Sequence, residues 1–523
     1  MGSRSLMCIT AMTLFAALAI QVRPRLAAQE KPASQQDKKE HRYKLVDLGT
    51  FGGPVGYLNW PGAQVLRNRG AIAGAADTST PDPNYPNTSL WLPPDPFIMH
   101  AFQWYNGVLT DLGALHGANS SFANWISANG LIAGLSETGV IDPLLGVPEA
   151  NAVLWKKGEM INLGTLEGGV ESFATAVNSL GQVTGNAVNT IPDPFSPFGY
   201  QNRAFRWDEE KGMQDLGTLG GPDAAPGPMN EGGQIAGFSY TNSSPNPVTG
   251  LPTLDPFLWE NGKMLDLGTL GGTSGFPTDL NNRGQVVGQS NLAGDVIFHP
   301  FLWTKSRGMQ DLGTFGGDTG TTNWINDAGE VVGKADLPGP APQTHGAFLW
   351  KKGVMTDLGR LYSDACSNAV SINSKSQVVG CSSDCTNCLH PFLWEGGGPM
   401  IDLNAFVPPG SDVQLTFAVS INDRGEIACF GKPPGAPPRD GDSQAPVFLL
   451  VPCDDEHSDE EGCEGENPAG VTQNSPAPAI QQPATATPAN PALSDRPATM
   501  LGRLRGRRFP GLRTLGPGTG PAN

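Results

Sequence analysis

Two stretches of this chain, DPFLWENGKMLDLGTLGG at 255–272 and HPFLWTKSRGMQDLGTFGG at 299–317, are near copies of each other. Looser copies stand at 203–221 (RAFRWDEEKGMQDLGTLGG) and 345–361 (HGAFLWKKGVMTDLGRL). A repeat constrains the fold more than composition does. Each copy must take one structure, and that structure must pack on its neighbours.

Four short phrases recur in fixed order. The first carries Asn and a turn (VNSLG, LNNRG, INDAG, INDRG). The second is QVTG, QVVG, EVVG or EIAC, the third is of the type PFLW, and the fourth is of the type MxDLGT. Each is short, apolar at alternate positions and bounded by Gly, Asn or charged turn residues, which predicts short strands joined by hairpins. Four strands per unit, at intervals of 45 to 64 residues, match a β-propeller blade. A helical repeat would need a 3.6-residue period. Abundant glycine (68) and proline (47) with 16% charged residues also suit a turn-rich all-β chain.

The turn phrase occurs at Arg67, Ser127, Asn178, Asn230, Asn281, Asn326, Asn373 and Asn422, with the first two copies drifted. The aromatic phrase ends at Trp104, Trp155, Trp207, Trp259, Trp303, Trp350 and Trp394, and Leu450 stands in the eighth place. The DLG phrase centres on Leu48, Leu112, Leu163, Leu216, Leu267, Leu312, Leu358 and Leu403. There are eight of each, out of phase: a DLG phrase comes first, and the last unit lacks its own. An open ring would leave a sheet edge exposed. The expected fold is therefore an all-β, eight-bladed β-propeller of four-stranded blades over 43–453, closed by YKLVDLG (43–49) pairing beside APVFLLVP (445–452). The tryptophans are expected in the core, each worth about 2–3 kcal/mol on burial. His100, His299, His345 and His390, one per blade, are given the same core reading, since points spread round a ring do not converge on one metal.

HPFLWxxGxMxDLGTLGG followed by INxxGQVVG resembles the HAF-repeat family of bacterial secreted proteins. FLLVPCDDEHSDEEGC and MIDLNAFVPPGSDVQL also resemble the ends of longer members. The resemblance covers about residues 43–463. It implies an extracytoplasmic location and a propeller-like fold, and it implies no reaction. The chain departs from the family in its first two turn phrases and in long Pro-rich loops in its first half.

The ends read differently from the middle. Residues 1–28 have the pattern of a signal peptide: Arg4, a short apolar run from Leu6 to Ile20, and small-residue cleavage sites at Ala17–Ala19 and Ala27–Ala28. The run is shorter than the roughly 20 residues that span a bilayer. Residues 29–42 read as a polar linker and 454–470 as an acidic loop. Residues 471–523 read as a disordered Pro/Ala-rich tail with Arg503, Arg505, Arg507, Arg508 and Arg513, taken as a solvated run. The expected protein is secreted or periplasmic, monomeric, and not inserted in a membrane after signal removal. A net charge of −17 argues against a nucleic-acid partner, which needs a basic face.

Alternating strand direction puts the Asn turns and WKKG-type hairpins on one face. The loops after VVG and the TLGG links then lie on the other, which carries the variation. Binding residues concentrate on loops held by a rigid scaffold. Tyr85, Trp91, Phe198 and Tyr200 stand in Pro-stiffened polar loops of that face. They suit stacking on sugar rings or peptide, or alternatively packing on the neighbouring blade's loop. With Cys8 removed with the signal, Cys453 and Cys463 should pair. Cys366, Cys381, Cys385 and Cys388 should form two bridges of open connectivity, and Cys429, in a valine place, should be a buried thiol. An iron–sulfur cluster at 381–388 does not suit a secreted all-β chain. DDEHSDEEGCEGE lacks the EF-hand pattern and reads as a solvated loop. No HExxH, GxSxG or phosphate-cradling glycine loop is present, so no cofactor, metal or catalytic residue is assigned. The acids Glu167, Glu171, Asp223 and Asp318 interrupt the TLGG links. They would serve glycoside chemistry if paired at about 5–10 Å. The functional expectation is a binding or scaffold module for extracellular carbohydrate or protein. The alternatives are a polysaccharide-active enzyme and a purely structural surface protein.

Overall fold

The computed structural model describes residues 41–435 and 445–454, together with His457 and Cys463, apart from 60, 61, 90, 144, 145, 197 and 341–343. The signal segment, most of the linker and acidic loop, and the tail with its arginines lie outside the described residues.

The described chain is all-β, with one short 3₁₀ turn at Leu403–Phe406. Its strands follow the phrase order. The sixth unit serves as an example: Gly320–Ile325, the Asn turn, Val331–Asp336, His345–Lys351 and Val354–Asp357 pair successively as an antiparallel meander. Eight such four-stranded units follow in order, here called sheets 1 to 8. Sheets 4 and 5 are additionally linked by one parallel bridge between Leu254 and Ser274. The eighth sheet takes three strands from its own repeat, Gln414–Ile421, Ile427–Lys432 and Val447–Pro452. Its fourth is Tyr43–Asp47, antiparallel to the last of these, with Tyr43 opposite Pro452 and Asp47 opposite Phe448. The phase offset in the sequence has this strand pairing as its structural counterpart.

Each phrase has a physical role. In DLG the Asp side chain accepts the Gly N–H two residues on (Asp111 to Gly113, 2.7 Å; Asp311 to Gly313, 2.7 Å), turning the chain sharply, while the Leu points inward. In QVVG the glycine lets the first strand approach. A methyl group at Gly288 would lie 2.0 Å from the Phe276 carbonyl oxygen and 2.7 Å from the Phe301 ring. In PFLW the Phe is fully buried in sheets 3 to 7 (Phe205, Phe257, Phe301, Phe348, Phe392). The Trp two residues later lies on the same strand face. Six of the seven tryptophans are buried. Trp259 is half-buried, with the Arg206 guanidinium 5.7 Å from its ring centroid.

The histidines correct the core reading. His100 and His299 are half-buried, and each sets Nδ1 2.9 Å from the carboxylate of its own sheet's DLG Asp, Asp111 and Asp311. Sheet 3 does the same with Arg203 on Asp215 (3.0 Å). The position pairs with the outermost strand and does not fill the interior.

The asparagine turns do more than turn. Asn281 Oδ1 accepts the N–H groups of Arg283 (3.1 Å) and Gln285 (3.0 Å), and its Nδ2 donates to Gln285 Oε1 (2.8 Å). The same Nδ2 also donates to the Asn326 carbonyl of the next sheet (3.1 Å). Asn230 reaches Asn281 (3.0 Å), Asn326 reaches Asn373 (3.0 Å), and Asn373 reaches Asn422 (2.9 Å). Asn422 of sheet 8 then reaches Arg67 of sheet 1 (2.8 Å). This ladder of amides runs from sheet 4 through sheet 8 to sheet 1.

Candidate functional site

Sheet 1 sends part of its chain across to other sheets. Between its first strand, Gly52–Tyr57, and its second, Ile72–Pro81, the chain makes an excursion before resuming sheet pairing. Leu66 bridges Ile72, and the Ala73 N–H donates to the Val65 carbonyl (3.0 Å). The excursion reaches sheet 5: a methyl group at Gly62, where φ is +79°, would lie 2.8 Å from the Thr278 carbonyl oxygen. Val65 and Leu66 are fully buried, in one cluster with Ala176, Met229 and Val370 from three other sheets. Arg67 completes the crossing with an ion pair to Glu231 of sheet 4 (3.6 Å). The drifted first turn phrase is thus the foot of this excursion.

On the variable face the four aromatics part company. Trp91 and Phe198 are 9% exposed, with ring centroids 4.5 Å apart, and Phe173 lies 4.0 Å from Trp91. Here a loop of sheet 1 reaches past sheet 2 and packs on sheet 3. Tyr200 is half-buried against the same cluster, and Tyr85 is 52% exposed. The acids divide likewise. Glu167 and Asp318 are exposed. Glu171 and Asp223 are buried beneath the loops, as are Asp77, Glu137, Asp142 and Asp193. Burial, together with the Asp95 charge, raises Asp77 to about 7, and burial, with Asp82 adding to it, raises Glu137 to about 7. Shifted carboxyl groups often mark a catalytic site, but these are closed off from a polymer in solvent.

The second half of that face offers an open site. A cleft of about 390 Å³ lies between sheets 7 and 8, lined by His390, Asp402, Asn404, Val407, Ser411 and Gln414 among others. On its rim Tyr362 is 71% exposed, and its backbone is left-handed (φ +52°), a conformation unusual for a bulky residue. Its ring centroid lies 4.7 Å from that of His390, and its hydroxyl donates to Asp402 Oδ2 (2.9 Å). Burial, then the hydrogen bond to Asp402 and that residue's charge, push the Tyr362 hydroxyl up to about 12, so it remains a donor. Asp364 holds His390 Nδ1 (2.9 Å), leaving Nε2 as the ring's remaining polar atom. Two disulfides brace the neighbouring loop, Cys366–Cys385 and Cys381–Cys388, which settles the open connectivity. Tyr362 was legible as a break in the pattern: the link out of sheet 6 reads DLGRLYSD where those out of sheets 3, 4 and 5 read DLGTxGG.

Cys453 and Cys463 pair as expected, and Cys429 is a buried free thiol whose pKa burial drives upward. Sequence reasoning missed His457 in the acidic loop. It is fully buried, with Nδ1 2.7 Å from Asp454 and Nε2 3.4 Å from Glu426. The signal was a substitution elsewhere. Glu426 and Glu330 stand where other copies have Gln, and each has gained a partner, His457 for one and Lys351 (2.5 Å) for the other.

Among the described residues no group of three or more His, Cys, Asp or Glu is arranged to hold a metal ion. No helix among them is long and apolar enough to cross a membrane. Three disulfides are consistent with an oxidising, extracellular or periplasmic compartment.

No family model and no curated protein matches the sequence. Solved structures with a similar chain trace include the β-propeller domain of the trilobed protease from Pyrococcus furiosus. That match has 11% identity and a TM-score of 0.40, and covers 68% of this chain and 98% of that one. TolB from Acinetobacter baumannii matches at 10% identity and a TM-score of 0.29, covering 63% of this chain and 78% of that one. A gluconolactonase from Xanthomonas campestris matches at 10% identity and a TM-score of 0.24, covering 48% and 78%. What this all-β chain is similar to is a set of β-propeller proteins, at a distance that carries no argument about activity.

Proposed function

We propose that this chain is a secreted, eight-bladed β-propeller of the HAF-repeat kind that binds extracellular carbohydrate on its variable face. The eight four-stranded units, the Tyr43–Asp47 strand in the last sheet and the Asn422–Arg67 contact support a closed ring. The apolar run at 6–20 and the disulfides support export.

The observation that carries the ligand reading is Tyr362. A large aromatic ring, largely in solvent, is held in a left-handed backbone on the rim of a polar cleft. A sugar ring has one apolar C–H face and a hydroxyl edge. It stacks on such a ring while carboxylate, amide and imidazole groups take its hydroxyls. Asp402, Gln414, Ser411 and His390 are the available partners.

The test is calorimetric titration of the purified secreted protein with a panel of bacterial and plant glycans. Tyr362→Ala is expected to weaken binding at least tenfold, and Tyr85→Ala to leave it unchanged. Equal losses in both would move the site to the first-half loops. Capture of no glycan by the wild type would overturn carbohydrate as the ligand and leave a protein partner. Shortening of a bound polymer would favour the enzyme reading.

A further inference from the structure

The second strands of sheets 1, 2 and 3 are ten residues each: Ile72–Pro81, Ile132–Ile141 and Val183–Pro192. Each runs into an Asp-Pro step, at Asp82, Asp142 and Asp193, and each of those aspartates is buried. Their backbone N–H groups close the loops onto Pro96 (2.9 Å), Val147 (2.8 Å) and Gly199 (3.0 Å). Two of the side chains then reach the next sheet. Asp142 of sheet 2 comes within hydrogen-bonding reach of Glu171 in the first strand of sheet 3. Asp193 of sheet 3 comes within the same reach of Asp223 at the entry to sheet 4.

Ionised carboxylates only accept hydrogen bonds, so a bond between two of them requires a proton on one. The remaining contacts fit such a proton. Glu171 is 0% exposed; Trp91 Nε1 donates to its Oε2 at 2.6 Å, and no N–H or hydroxyl serves Oε1. Asp193 Oδ2 is likewise buried and unserved. A buried acceptor without a donor is destabilising, and native structures seldom keep one. Here each of the two carboxyl pairs holds such an oxygen, beside the second carboxyl.

We propose that each pair shares one proton at neutral pH, forming acid–carboxylate hydrogen bonds that staple sheet 2 to sheet 3 and sheet 3 to sheet 4, and that these staples open in alkali. The groups facing Glu171 are Asp142 and Glu149 of sheet 2 and the Trp91 N–H of sheet 1. Those facing Asp223 are Asp193, Arg203 and the Asn202 N–H of sheet 3. Burial first, then the Asp142 charge, puts Glu171 at about 9; burial, then the Asp193 charge, puts Asp223 at about 8. Both carboxyl groups are raised in the folded protein. Their stabilisation is therefore complete below the ordinary carboxylate range and is lost as pH climbs through about 8 to 9. Between the ordinary carboxylate range and those values each pair lowers the folding constant about tenfold per pH unit, and the fall levels off above them.

Infrared spectroscopy of the full chain at neutral pH reads the shared proton directly. A protonated-carboxyl C=O band is expected in the wild type, losing one component in Glu171→Gln and another in Asp223→Asn. Thermal melts across pH add a second readout. Wild-type stability falls along the alkaline limb. Both variants flatten it, because an amide donates at any pH, and the exposed control Glu167→Gln follows the wild type. Absence of the band at neutral pH, or variants with the wild-type alkaline slope, would overturn the proposal. If a variant does not fold, the wild-type band decides by where it titrates: a component that persists above pH 7, where Asp77 and Glu137 ionise, and is lost at about 8 to 9 supports the pairs, and its absence overturns them.

Discussion

The two halves of this molecule join their repeats by opposite means. From sheet 4 through sheet 8 and on to sheet 1, neighbours are tied on the turn face by one asparagine each, with carbonyl contacts of 2.8 to 3.1 Å. In sheets 1 and 2 the asparagine is replaced by Arg67 and Ser127. There Asn129 makes a turn-face contact in its place (Ser179 carbonyl, 2.8 Å), and further ties stand on the variable face, as Trp91 on Phe173, Phe198 and Glu171, and as Asp142 on Glu171. The consensus asparagine makes the joint from sheet 4 onward, whereas in sheet 3 Asn178 bonds within its own turn. The chemistry differs as well. An amide ladder has no proton to lose, whereas carboxyl pairs do.

The sharpest way to break this contrast is at a rung. Asn281→Ala removes four hydrogen bonds at a buried position and leaves the Arg283 and Gln285 N–H groups and the Asn326 carbonyl without that partner. At about 1 kcal/mol or more for each buried group left unsatisfied, the loss should reach about 3–4 kcal/mol. Urea unfolding at pH 5 and at pH 9 should give the same loss. A loss that grew with pH would mean that the two halves are not chemically distinct.

Trp91→Ala attacks the other half. It opens a cavity among Phe173 and Phe198 and takes the N–H from Glu171, for about 3 kcal/mol. The effect should be local. Hydrogen exchange should quicken in 82–100 and 193–202, while the urea midpoint moves less than for Asn281→Ala. A global shift as large as that rung's would show that the loops and the ladder unfold as one unit.

The eight copies, their phase offset and the assignment of faces were legible because they rest on local order and on period-two alternation, which a chain carries in its sequence. What was not legible depends on neighbours in space. Trp91 and Phe198 stand in polar loops, and nothing adjacent in sequence says that one loop buries the other. His457 lies in a run of acids, and its burial follows from Glu426, which is distant in sequence and close in the fold. The asparagines were read as turn formers, which they are. Their second role spans one full repeat, and the only trace of it was how rarely the residue changed. The drifted copy at Arg67 was in fact the informative one, since it marks where the chain crosses to other sheets.

The second half also has covalent braces on its variable face, both within sheet 7. Replacing Cys366 and Cys385 together by Ser removes a bridge with a sequence separation of 19. A loop of about that size contributes about 3 kcal/mol when nothing else constrains it. Cys381–Cys388 overlaps that span and constrains part of it, so about 2 kcal/mol is expected by thermal melt. The alkaline limb should keep its wild-type slope, because no proton is involved.

The smallest effect is the most specific, because it restores the consensus where it has drifted. Ser127 Oγ already accepts the Leu131 N–H (2.9 Å) and donates to Asn129 Oδ1 (2.7 Å), so it makes the turn without a rung. Ser127→Asn keeps an oxygen for the Leu131 N–H and adds an Nδ2 that can reach the Asn178 carbonyl of sheet 3, as Asn230 reaches Asn281. The consensus Gln four residues on, which holds the amide in register, is Leu131 here. The single variant should therefore gain only about 0.5–1 kcal/mol, the net value of one hydrogen bond. Adding Leu131→Gln supplies the missing acceptor but withdraws a side chain that packs on the core. A double-mutant cycle separates the two: favourable coupling between positions 127 and 131 is the signature of a rebuilt rung, and additive changes would mean that the ladder depends on the strand geometry of sheets 4 to 8 and not on the asparagine alone.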